Sequence, residues 1–154
     1  LFHGQIADAL VTRGDDAFRA GDLAAAIRSY ERALRLDRRS TIAADRFAFF
    51  LALQHDPLDA RRAIAVASQA LRAEPTASIF ADRGFAEMQL GRWRDAERDF
   101  ASAGTLGHDA RYDHLAARMA LRRGDRIAAR NDAAKALAVD PTFEPARALL
   151  RRLD

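Results

Sequence analysis

Cysteine is absent from the 154 residues, so no disulfide framework, thiolate metal site or cysteine nucleophile is available. Lysine occurs once, at Lys135, and every other basic residue apart from histidine is arginine. There are only four prolines and eight glycines, and most fall where a helix would have to end. No apolar run approaches the ~18 residues that span a bilayer. β-Branched residues are scarce beside alanine, which tilts intrinsic propensity towards helix along the whole chain. The chain starts at Leu1 with neither an initiator methionine nor a basic-then-apolar leader, the pattern expected of a processed protein or an excised segment.

What is present suits a soluble folded chain: 49% of residues are hydrophobic and 31% charged. The compartment stays open between cytoplasm and periplasm. A sequence pI near 10.1 invites a nucleic-acid reading, but the formal net charge is only +3. GC-rich coding accounts for the arginine and the alanine together. The charge is uneven, however: residues 1–110 carry net −1, whereas residues 111–154 hold ten basic and six acidic residues, net +4.

Internal repetition organises the chain. Gly21-Asp22-Leu23 through Ile27, Gly91-Arg92-Trp93 through Glu97, and Gly124-Asp125-Arg126 through Arg130 each place an alanine five residues after a glycine. Asp59-Ala60-Arg61-Arg62-Ala63-Ile64 supplies a fourth copy without the glycine. The first alanine ladder is Ala26, Ala63, Ala96 and Ala129; a second follows seven residues later at Ala33, Ala70, Ala103 and Ala136. Upstream of each turn a small residue recurs at Gly14, Ala48, Gly84 and Ala117. Three copies close on Asp37, Glu74-Pro75 and Asp140-Pro141.

With a period of about 34 residues, these positions resemble the tetratricopeptide repeat over residues 7–142. The resemblance implies an all-α, right-handed α-solenoid of antiparallel helix hairpins, with repeats near 7–40, 41–76, 77–109 and 110–142. Small residues at fixed spacing independently support this, because they let paired helices approach to about 8–10 Å. Nine helices are predicted, near 5–20, 23–36, 40–54, 57–73, 77–90, 93–104, 109–123, 126–138 and 143–153. The last has one apolar stripe, Ala146, Leu149, Leu150 and Leu153, and reads as the cap that an exposed array end requires. No such cap precedes the first repeat, so Leu1, Phe2 and Ile6 are assigned to the face of an upstream repeat, and the segment to the last part of a longer array. Two irregularities stand out. The second repeat has His55-Asp56-Pro57 in place of a glycine turn, with Asp56 and Pro57 suited to start a helix. The third lacks a closing proline after Gly104-Thr105-Leu106-Gly107-His108, so its second helix is expected to stop early and the next hairpin to tilt.

In the family that this pattern resembles, the first helices of successive repeats line a concave groove that takes up a peptide or protein segment. Carried over by register, the groove candidates are Thr12, Asp15, Phe18 and Arg19; then Asp45, Arg46 and Phe49; then Asp82, Phe85, Met88 and Gln89; and finally Arg111, His114, Arg118 and Arg122. Phe18, Phe49, Phe85 and Met88 form an apolar strip rimmed by charge, a composition suited to gripping a partner; the plainer reading packs some of these rings between hairpins. One branch of the family recognises acidic tails through groove lysines and an asparagine. The corresponding first-repeat positions here include Val11 and Asp15, and no lysine lies in the groove, which argues against that clamp. Arg111, Arg118 and Arg122 share one helical face and suit carboxylates, so acidic character is expected of a partner at the C-terminal end. The plainer alternative is a solvated arginine-rich helix. Trp93 reads as a residue locking two helices, and Phe47 and Phe50 as packing.

No catalytic machinery is legible. His108 and His114 do not share a helical face, Asp15-Asp16 is a lone doublet, and no G-x-S-x-G, phosphate loop or H-E-x-x-H occurs. The sequence is therefore read as a non-enzymatic scaffold or adaptor with no cofactor and no metal. RNA binding is the main rival, given the arginine doublets, but acidic residues interrupt any continuous positive stripe. Self-association through an uncapped first hairpin is the third reading.

Overall fold

Helix boundaries in this chain rest on local chemistry. Asp22, Ser40, Asp56, Thr76, Asp109 and Asp125 each stand before a helix and accept a hydrogen bond from a backbone N–H of its first turn, a cap worth about 1 kcal/mol. Gly21, Gly91 and Gly124 end the preceding helices at φ of 83°, 69° and 85°, where a side chain would be strained. The computed structural model describes residues 2–154, and among them the helices are α1 (Phe2–Arg19), α2 (Leu23–Leu36), α3 (Thr41–Leu53), α4 (Pro57–Ala73), α5 (Ala77–Gln89), α6 (Trp93–Gly107), α7 (Ala110–Arg122), α8 (Arg126–Val139) and α9 (Glu144–Leu153). Leu1, assigned above to an upstream face, lies outside the described residues.

One expectation changes. The early stop of the helix near residue 104 does not occur: α6 continues through Gly104 to Gly107 and ends on His108, which takes the left-handed conformation at φ 49°. The missing proline is replaced by a histidine that turns the chain and by Asp109, which caps α7 at once. At the irregular second turn His55 is likewise left-handed, at φ 54°, while Asp56 caps α4 and Pro57 occupies its first turn. Histidine thus does at two turns what glycine does at the other three.

Paired helices approach along the alanine ladders. Ala26, Ala33, Ala63, Ala96, Ala103, Ala129 and Ala136 have no exposed surface. The depth of approach is set at a neighbouring level, where partner residues trade size. Opposite Gly14 stands the buried ring of Tyr30, and opposite Gly84 that of Phe100; a Cβ on either glycine would sit 2.5 Å and 2.9 Å from the ring. In the second and fourth hairpins the equivalent pairs are Ala48 with Ala67 and Ala117 with Ala133. A glycine appears where the second helix carries a ring, and an alanine where it carries a methyl.

The hairpins stack so that α3 lies against both α1 and α5, making an inner layer of odd-numbered helices, with α2, α4, α6 and α8 outside. The spacing is not uniform. α7 rests on α6 and touches α5 little, because Gly104 admits the buried Asp113 carboxylate to the space a Cβ would fill, 2.5 Å away. α9 closes the array with Ala146, Leu149 and Leu153 buried against α7 and α8. Arg126 and Arg130 of α8 donate to the Leu153 carbonyl at 3.1 and 2.8 Å, and Arg130 pairs with Asp154 at 2.7 Å. No helix among the described residues is long and apolar enough to cross a membrane.

The size trade is testable by a double-mutant cycle. Gly84→Ala should destabilise the chain by about 1–3 kcal/mol through overpacking, and Phe100→Ala by about 3–5 kcal/mol through cavity formation. The double variant, whose pair matches the fourth hairpin, should be no less stable than Phe100→Ala alone. Urea unfolding that gave simply additive losses would contradict this.

Candidate functional site

The inner layer presents a hollow on either side of a polar seam. The first, about 300 Å³, lies between α1 and α3 and is lined by Asp15, Phe18, Arg19, Tyr30, Arg46, Phe49 and Phe50. Phe18 and Phe49 remain 47% and 38% exposed, each edge-on to the buried Phe50 at 4.9 and 5.2 Å. Phe50 itself stacks on Tyr30 at 5.3 Å. Two of the expected groove rings are thus held by aromatic packing on one side and open on the other.

The seam starts at Tyr30, whose hydroxyl donates to Asp15 at 2.7 Å; burial and that carboxylate push the phenol far above its ordinary range. Arg46 then spans Asp15 and Asp45, each at 3.3 Å. Beyond Asp45 lies Asp82 of α5, only 5% exposed. Oδ1 of Asp45 and Oδ2 of Asp82 are buried without a donor. Burial foremost, and then the Asp45 carboxylate, push Asp82 up to about 9, so at neutral pH it carries a proton. Of the predicted groove residues, Arg46 therefore ties α3 to α1, and Asp82 is buried on α5. Gln89 adds a further tie, donating to the Ala52 carbonyl at the end of α3.

The second hollow, about 710 Å³, opens where α7 parts from α5, and α9 forms its far wall. Met88 of α5, Trp93 at the start of α6, His114, Arg118 and Arg122 of α7, and Pro145, Ala148 and Arg152 of α9 line it, with Met119, Leu121 and Leu149. Arg122 lies over the Trp93 ring, 4.8 Å from its centroid. His114 is edge-on to Phe143 at 5.7 Å. Burial, and secondarily Arg118, lower its pKa, so the imidazole is neutral and serves as a wall. Arg118, Arg122 and Arg152 make no ion pair among the described residues, and no carboxylate lines the hollow.

The remaining candidates lie elsewhere. Phe85 packs edge-on to Phe100 at 5.1 Å between two core clusters. Arg111 is clamped to Asp109, its own helix cap, at 2.6 Å. Arg19 pairs with Asp16, and Thr12 bonds back to the Asp8 carbonyl. Two lining residues escaped the sequence reading. Trp93 was assigned to helix locking, yet its ring borders the hollow. Arg152 lies off the apolar stripe of the last helix, but Pro145, Ala148 and Arg152 recur at helical spacing beside that stripe. That second stripe was the available signal. No group of three metal-ligating side chains lies together among the described residues.

Comparison with known proteins places this geometry. Residues 7–40 match the tetratricopeptide repeat family. No curated protein matches the sequence. Among solved structures, a crystal structure of MamA protein superposes with a TM-score of 0.83 at 18% identity, covering 97% of this chain and 81% of that one. PilF of Pseudomonas aeruginosa gives 0.78 at 16% identity, covering 99% and 69%. A tetratricopeptide repeat protein from Parabacteroides merdae gives 0.76 at 19% identity, covering 97% and 59%. At these identities the likeness establishes the fold.

The buried acid makes a pH prediction. Asp82 holds its proton to about 9 in the fold but only to ~3.9 in an unfolded chain. The folded state therefore binds more protons across that window, and stability falls as pH rises through it. Asp82→Asn should flatten this slope and melt above the parent at pH 8, with less difference at pH 5. Thermal melts showing the parent equally stable at both pH values would refute the assignment.

Proposed function

We propose that this chain, which carries a tetratricopeptide repeat at residues 7–40 and the tetratricopeptide fold throughout, is a non-catalytic adaptor that holds a segment of another polypeptide along its inner layer. Proteins of this fold mediate protein–protein contacts. The observation that carries the reading is the pairing of half-open aromatic rings at one end, Phe18 and Phe49, with unpaired guanidinium groups at the other, Arg118 and Arg122. Apolar anchors on a rigid base and uncompensated charge nearby are features of recognition surfaces. Asp45, Arg46, Asp82, Phe85 and Arg111 support this surface or border it. The partner segment is acidic towards α7, where charge is uncompensated.

RNA fits less well. Its phosphates need a continuous positive track, whereas Asp15, Asp16 and Asp45 occupy the α1 and α3 part of the same layer. A different observation favours a second reading, self-association: Phe2 and Ile6 are exposed on α1, and sedimentation at two concentrations would show a rising mass if they meet another copy.

The adaptor reading predicts that Phe18→Ala with Phe49→Ala lowers capture of the partner by the intact protein about tenfold or more, the effect of losing a central anchor, while helicity is retained. Arg61→Glu, on the outer layer, should leave capture unchanged. The reverse pattern would transfer binding to the outer face and end the proposal.

A further inference from the structure

The hollow at α9 differs from the rest of the inner layer in charge and in shape. Its volume, about 710 Å³, lies within the range of roughly 300–1,000 Å³ typical of ligand clefts. Met88, Trp93 and the aliphatic side chains of α7 and α9 give it an apolar floor. Three guanidinium groups stand round that floor without a carboxylate. Arg118 and Arg122 are one helical turn apart on α7, and Arg152 faces them from α9. Arg122 is held on the Trp93 ring, a cation–π contact, and makes no ion pair among the described residues. Three like charges in one cavity repel each other, and an anionic occupant relieves that repulsion while gaining charge-assisted hydrogen bonds.

We propose that this cavity seats an apolar side chain of an acidic peptide, with Arg118, Arg122 and Arg152 taking the flanking carboxylates. α9 is then a recognition element as well as a cap. The proposal rests on the reading that the inner layer holds a polypeptide segment and names the chemistry of that segment at one end. A peptide is favoured over a nucleic acid because the cavity joins an apolar floor to a short cluster of charge that stops at the Asp45–Asp82 seam. A phosphate backbone would meet there only Arg46, already paired with Asp15 and Asp45.

Trp93 is the only tryptophan and borders the cavity, so its emission reports occupancy directly. The full chain is titrated with a dodecapeptide alternating glutamate and leucine. The expected result is a saturable shift in emission, with affinity about tenfold weaker or worse when glutamine replaces glutamate, and again when alanine replaces leucine. Arg152→Gln, and separately Arg118→Gln, should each weaken binding about tenfold with the melting temperature nearly unchanged. No shift, equal affinity for the glutamine peptide, undiminished binding by both variants, or tighter binding of polyuridylate would each overturn the proposal. Should it fail while capture still depends on Phe18 and Phe49, the adaptor reading stands and the cavity alone is lost. Should that dependence fail as well, the groove reading falls with it.

Discussion

Close approach of two helices within each hairpin is the constraint on which the rest of this structure depends. Most of the buried hydrophobic residues are alanines. Such an interface gains stability only when backbones come near enough for small groups to touch, since dispersion falls off steeply with any gap. The exchange of Gly14 against Tyr30 and Gly84 against Phe100 for alanine pairs elsewhere keeps that approach possible while the residues change. Layers, hollows and cap all inherit their positions from it.

One departure in this spacing creates the larger hollow. Gly104 allows α7 to settle onto α6 around the Asp113 carboxylate, and α7 correspondingly parts from α5. Between α3 and α5 the opposite holds: the helices are close, and Asp82 is buried there and keeps its proton. The inner layer is thus closed in the middle by hydrogen bonding and open towards α9. Charge follows the same division, with Arg46 compensated by Asp15 and Asp45 and Arg118, Arg122 and Arg152 uncompensated.

Much of the architecture was legible because it repeats. The alanine ladders place helix pairs, and Asp22, Asp56, Asp109 and Asp125 mark helix starts by their own chemistry. The end of α6 was misplaced for a physical reason: the closing proline is missing, and the sequence does not show that a left-handed His108 ends the helix instead. Asp82 and Phe85 illustrate the same limit. Register assigns a residue to a face, but whether that face meets solvent or another helix depends on how far adjacent hairpins separate. Trp93 and Arg152 lie in different repeating units, and their meeting at one cavity is a tertiary fact that no single unit encodes.

The clamp on the end of α9 has a consequence for dynamics. End units of a repeat array have neighbours on one side only and are the first to fray. Here the fraying helix is also a wall, pinned by Arg126 and Arg130 at the Leu153 carbonyl. Detachment of α9 would dismantle the cavity, so occupancy and local unfolding draw on one equilibrium. Anything that fills the space between α7 and α9 must slow amide exchange in the last helix, and anything that loosens the clamp must weaken what is held there.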